Sequence, residues 1–354
     1  MDSRQRVRMT LEHKEPDRIP IHDFPWQATI DRWRTEGLPS GVEPRDYFGY
    51  ELADFGCDTG PQFKEEVLSI DDEYITEKDS FGGVRKNHRD VTTTPLIIDY
   101  PCKSREDWEK IKPRLTPNDR RVDWVTGLRN NQRERSLGRY NVFNAIVGYD
   151  KIQKYVASER LLMAVLREPE WVVDMYRIDA DLVMAMCDRM IEGGFEFDGA
   201  FMYCDLGYRH GPFFSPKHYE DQLHPIFKEL CDFFHKRDMQ VFLHVCGNVK
   251  SLIPYFIEEG IDCIQPLEVK AGMDLIELKA EFGDKMAFMG GIDTRLMNLD
   301  DPRPLEKEIK SKLPIAMEGG GYMYHSDHSI PNTVNFQQYQ RVIQLIRKYG
   351  EYRA

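Results

Sequence analysis

The chain has 354 residues, of which 41% are hydrophobic and 31% charged, enough apolar sequence for a large core. A formal charge of −12 and a pI of about 5.4 argue against a general nucleic-acid or membrane-surface binder. The seven cysteines are scattered without a CxxC, the start is charged with no apolar signal core, and no apolar run approaches a membrane span; a reduced, cytoplasmic protein is expected.

In chain order, Asp2 or Ser3 caps a helix over about residues 4–14, with Val7 and Leu11 on one face. "DRIPIHDF" (17–24) is a short strand ending in Asp23, and "YELADFGCD" (50–58) holds a second. Residues 64–90 carry short β-like runs split by Asp-Asp and Gly-Gly, which predicts a hairpin excursion. Residues 104–115 form a charged helix and 139–148 a third strand. After residue 150 the rhythm is regular. Helices are expected at 167–194, 215–237, 249–260, 274–283, 303–317 and 335–350. Strands alternate with them at 197–205, 239–247, 261–268, 285–293 and 319–328.

Alternating strands and helices demand a parallel sheet. About eight strands over this length predict a single (β/α)8 TIM barrel spanning 1–354, with a hairpin and helical insertion at about 60–135. No GxGxxG follows an early strand, which weakens a dinucleotide-binding alternative.

In a barrel the C-terminal strand ends meet at one mouth. There the sequence delivers Asp23, Asp58, Cys204, Asp205, His244, Cys246, Gln265, Glu268, Asp293 and the "HSDH" of 325–328. His244 and Cys246, two apart on one strand, point the same way and suit a soft metal such as zinc; a core Cys beside a hydrogen-bonded His is the alternative. A third ligand is expected from another strand end. His328, just past the last strand, is the first candidate, with Asp327, His325 and Cys204 in reserve.

The ordered motifs "RQRVRMTLEHKEPDRIPI", "CDLGYRHGPFFSPKHYEDQLHPIFKEL", "FLHVCGN", "IDCIQPLE", "MAFMGGID" and "GGGYMYHSDHSIP" resemble the uroporphyrinogen decarboxylase superfamily. They are nearest its branch of zinc-dependent, corrinoid-linked methyltransferases. The resemblance implies one barrel with its site at the C-terminal mouth. The decarboxylases of that superfamily need no metal and hold tetrapyrrole carboxylates with an arginine-rich segment after the first strand. Here that segment is "HDFPWQATIDRW", with no arginine before Arg32. The methyltransferases' His-x-Cys pair carries to His244 and Cys246, and His328 stands where their third ligand is commonly a Cys.

The resemblance therefore implies zinc bound by His244, Cys246 and His328, and a small-molecule methyl donor or acceptor. Asp205 or Glu268 would position substrate or manage a proton, and a separate corrinoid protein would take or give the methyl group. A metal-free decarboxylase of an aromatic or tetrapyrrole-like acid is the second expectation. It would rely on Arg209, His210 and Arg295. A non-catalytic barrel that binds a small molecule or corrinoid protein is the third.

Overall fold

A computed structural model describes residues 1–89 and 95–352. Position 90 of the expected hairpin and positions 90–94 of the expected insertion lie outside them. The strands run in chain order as β1 (Leu52–Gly56), β2 (Glu66–Ile70), β3 (Tyr74–Lys78), β4 (Val84–His88), β5 (Leu96–Asp99), β6 (Tyr140–Ile146), β7 (Gly199–Tyr203), β8 (Gly207–Tyr208), β9 (Gly211–Pro212), β10 (Gln240–His244), β11 (Cys263–Gln265), β12 (Ala287–Met289) and β13 (Tyr322–Met323).

Seven of them form one curled parallel sheet, in the order β1-β6-β7-β10-β11-β12-β13. The strand expected at 17–24 is an extended segment and not a regular strand. Ile21 bridges Tyr324 beyond β13, while the Glu51 N–H before β1 donates to the Ile21 carbonyl at 2.9 Å. Pro20 and Pro25 have no N–H to give, which keeps the ladder from extending.

Side chains alternate between two apolar layers because successive strand residues face opposite ways. Leu52, Val142, Phe201, Phe242, Cys263, Ala287, Met289 and Met323 fill the concave interior. Phe201 stacks on Phe242 with ring centroids 5.3 Å apart. Val7 and Leu11 close this layer from the N-terminal side. They sit on the helix Ser3–Leu11, whose N-cap is Asp2 and whose Thr10 carbonyl receives the Gly321 N–H. Val241 and Leu243 of β10 face the outer layer instead, with Val172, Met175, Tyr176, Met186 and Met190 of the helix Pro169–Glu192.

The local signals act as expected at several places. Pro169 opens the 24-residue helix, and Ser215 caps Pro216–Gln222. The single helix expected over 215–237 is two, Pro216–Gln222 and His224–His235, with Pro225 at the start of the second. Helices at Thr126–Ser136, Gly148–Val156 and Ser158–Arg167 were not anticipated. The expected hairpin is larger, a four-stranded antiparallel sheet β2-β3-β4-β5. Among the described residues no helix is long and apolar enough to cross a membrane.

Candidate metal centre

Tyr203, His244 and Gln265 are register partners on β7, β10 and β11. Strand alternation puts them in one row above the Phe201–Phe242 stack, facing the interior. β10 ends at His244, and the chain turns through Val245, Cys246 and Gly247. Gly247 has φ +83°, and a Cβ there would lie 2.3 Å from the Gly207 carbonyl carbon. Only glycine permits this close approach, which brings Cys246 back beside His244.

The turn is pinned by carboxylates. The Cys246 N–H donates to Asp205 Oδ1 at 2.9 Å, and the Gly247 N–H donates to Glu268 Oε2 at 2.8 Å. Asp205 follows β7, so two neighbouring strand ends supply the cluster. His244 Nε2 lies 3.4 Å from Cys246 Sγ and 3.5 Å from Asp205 Oδ1. All three ligand atoms lie within 4.8 Å of one another, the one such group among the described residues.

A hydrogen-bond relay fixes which nitrogen of His244 faces the cluster. His325 Nδ1–H donates to the Ser326 carbonyl at 2.6 Å, leaving its Nε2 to accept from the Gln265 amide nitrogen at 3.1 Å. The Gln265 amide oxygen is thereby turned to accept from His244 Nδ1–H at 2.5 Å. Nε2 is then the His244 nitrogen left to face Cys246 and Asp205. Burial holds the His325 imidazole below its usual range, which keeps the relay's far end neutral.

The donor set fits zinc. Bonds of about 2.0–2.3 Å in a tetrahedron put neighbouring ligand atoms roughly 3.3–3.7 Å apart, the separation found around His244 Nε2. A ligating histidine whose other nitrogen is held by an amide oxygen is the usual supporting arrangement. Side-chain exposures of 24% for His244 and 39% for Asp205 leave the cluster open to solvent on one side, as a catalytic site requires. Burial, then the charges of Asp205 and Glu268, push the Cys246 thiol well above its ordinary range. Its thiolate needs a cation beside it.

The sequence-predicted residues divide between the cluster and its surroundings. The carboxylate grouped with His244 and Cys246 is that of Asp205, which the sequence reading gives a catalytic role, and the group does not include the His328 expected as third ligand. The His328 ring packs edge-on against Trp26 at 5.8 Å, and its Nδ1 lies 3.2 Å from the Ser329 carbonyl, so it is not in the group of three. Glu268 accepts from Gly247 and pairs with Lys270 at 3.1 Å, holding the turn from behind. Asp327 receives Thr294 and Val269 backbone N–H groups, and Cys204 is fully buried. Asp23 accepts from Tyr324, Tyr339 and Ser326 hydroxyls and the Phe24 N–H. Asp58 accepts from Gly60 and Gln62.

Sequence reasoning named Gln265 without a role and missed Asp150. Burial, then the neighbouring Asp205 charge, raise the Asp150 carboxyl. The signal was the "GYD" after β6, which opens the unanticipated helix Gly148–Val156.

The pattern of the uroporphyrinogen decarboxylase family matches residues 83–349. No curated protein matches the chain. Among solved structures, a methyltransferase from Methanosarcina mazei shares the fold with a TM-score of 0.70 at 14% identity, over 99% of each chain. A sugar phosphate isomerase/epimerase from Parabacteroides distasonis gives a TM-score of 0.39 at 8% identity, over 94% of this chain and 96% of its own.

Proposed function

This chain belongs to the uroporphyrinogen decarboxylase family, and from that premise we propose that it is a zinc-dependent methyltransferase. It moves a methyl group between a small methylated compound, methoxy compounds included, and the cobalt of a corrinoid carried by a separate protein. The observation that carries the proposal is the sulfur, nitrogen and oxygen trio of Cys246, His244 and Asp205, with the imidazole tautomer set by Gln265. The fold shared with the archaeal methyltransferase is in keeping with it.

Bound there, zinc supplies Lewis acidity toward the heteroatom that bears the methyl group. The protein's own residues prepare that role. Cys246 gives its proton to solvent on binding. His244 offers Nε2 because Nδ1–H is committed to Gln265. Asp205 acts at the cluster directly, while Glu268 is a positioning residue that orients the Cys246 turn through Gly247. Of the three residues the decarboxylase alternative would rely on, Arg295 has its Nε and Nη2 forked onto Asp293.

Counting the segment through Ile21 as the eighth stave, the chain is one (β/α)8 domain with the β2–β5 sheet and the helices after it as an insertion. Seven free cysteines are in keeping with a cytoplasmic setting.

The test is metal content by elemental mass spectrometry on protein prepared without chelator or affinity tag, alongside Cys246→Ala. About one zinc per chain, lost in the variant, is expected from three protein ligands. No zinc after reconstitution would end the proposal.

A further inference from the structure

The seam between the Ile21 segment and β1 is closed, among the described residues, by a single backbone hydrogen bond, Glu51 N–H to Ile21 C=O. Beside it lies a cavity of about 260 Å³, lined on its polar side by His22, Arg45 and Asp54 and on its apolar side by Phe24, Pro25 and Ile30. The volume is that of roughly eight waters.

Most charges around the cavity are already answered. Arg133 and Arg139 each pair with both Asp46 and Glu134. Asp23 is held by three hydroxyls. Three groups are left over. His22 is 2% exposed, yet neither ring nitrogen has a partner. Asp54 Oδ1 is buried and also has none. Arg45 reaches a carboxylate only loosely, with Nη2 3.8 Å from Asp54 Oδ2. Buried polar atoms without partners are rare because each forfeits its hydration. Here the two residues that carry three such atoms, His22 and Asp54, line one cavity.

We propose that this cavity binds a small molecule carrying both an amine and a carboxylate, the ammonium on Asp54 Oδ1 and the carboxylate between Arg45 and the His22 N–H. A cation alone would face the Arg45 guanidinium, and an anion alone would face Asp54. A zwitterion satisfies both, and its hydrocarbon part lies against Phe24, Pro25 and Ile30. The neutral imidazole suits this role, since burial, then His325, Arg45 and Arg139 nearby, hold His22 well below its usual range. None of these residues is a member of the Asp205–His244–Cys246 cluster, although the His22 and Phe24 rings lie 6.2 and 6.1 Å from His325 at the far end of its relay.

The test is isothermal titration calorimetry on the full chain with EDTA present, which separates its outcome from that of the zinc proposal. The probes are glycine, L-valine, isobutylamine and isobutyrate. One of the two amino acids should bind at one site, about tenfold or more tighter than either single-charge compound. Asp54→Asn and Arg45→Gln should each weaken it by about tenfold or more. Arg45 is 32% exposed, so Arg45→Gln should fold normally and keeps the test valid if Asp54→Asn does not. Heat from neither amino acid would overturn the proposal, as would equal binding of isobutylamine or binding unchanged in Arg45→Gln.

Discussion

Gln265 does for His244 what no residue of the trio does for itself. Its amide turns one way because His325 Nε2 has room only for a donor, and that choice decides which His244 nitrogen faces Cys246. Gln265→Leu removes the relay and leaves the trio. Zinc affinity should fall by about 10–100-fold, read by competition with a chromophoric chelator; unchanged affinity would show that His244 needs no second partner. His328→Ala, beside Trp26, should leave zinc affinity as it was. The pair His244–Cys246 was legible in the sequence because i and i+2 on a strand share a face. Asp205 was legible as a strand-end carboxylate, but not as the third member. Its approach depends on the Gly247 turn folding Cys246 back, and no spacing in the sequence encodes that contact.

At the scale of elements, the turn after β10 and the helix Ile253–Glu259 carry the sharpest consequences. Gly247→Ala forces a Cβ toward the Gly207 carbonyl at positive φ. It should destabilise the protein by more than about 1 kcal/mol, measured by urea unfolding; an unchanged midpoint would mean the β8 turn yields easily. Glu259 is buried at its helix end, where it accepts from the Tyr219 hydroxyl at 2.6 Å and faces His224 Nδ1 at 2.9 Å. Burial pushes its carboxyl up to about 7 from an ordinary 4.5. The folded state therefore holds more protons between those values, and stability falls as pH rises through them. His224, raised by its bond to Glu259, acts in the same direction: its contribution is present below its ordinary value and lost as pH rises through the folded one. The melting temperature of Glu259→Gln minus that of the wild type should rise from pH 5 to pH 7.5. A flat difference would contradict it. Element signals were strongest where caps and prolines mark boundaries, as at Asp2, Pro169 and Ser215. They were weakest at residues 17–24, where a short strand was expected and Pro20 and Pro25 limit pairing to single bridges.

At the scale of the whole molecule, the parallel sheet followed from strand–helix alternation, whereas the isolated bridge from Ile21 to Tyr324 joins segments far apart in the sequence that no local pattern pairs. The two apolar layers lie below and around the trio and include none of its members. Zinc should therefore add stability only by mass action, about 2.7 kcal/mol at a hundredfold excess over Kd. Chelation should leave the far-ultraviolet circular dichroism unchanged at 25 °C. Collapse of the spectrum on chelation would mean that the metal supports the fold. The central claim is that Asp205, His244 and Cys246 together hold one zinc. The most direct measurement is zinc K-edge X-ray absorption on the reconstituted protein, with Asp205→Ala and His328→Ala beside it. One sulfur at about 2.3 Å with nitrogen and oxygen at about 2.0–2.2 Å is expected, altered by Asp205→Ala and not by His328→Ala. A shell without sulfur, or one that changes only in His328→Ala, would contradict it.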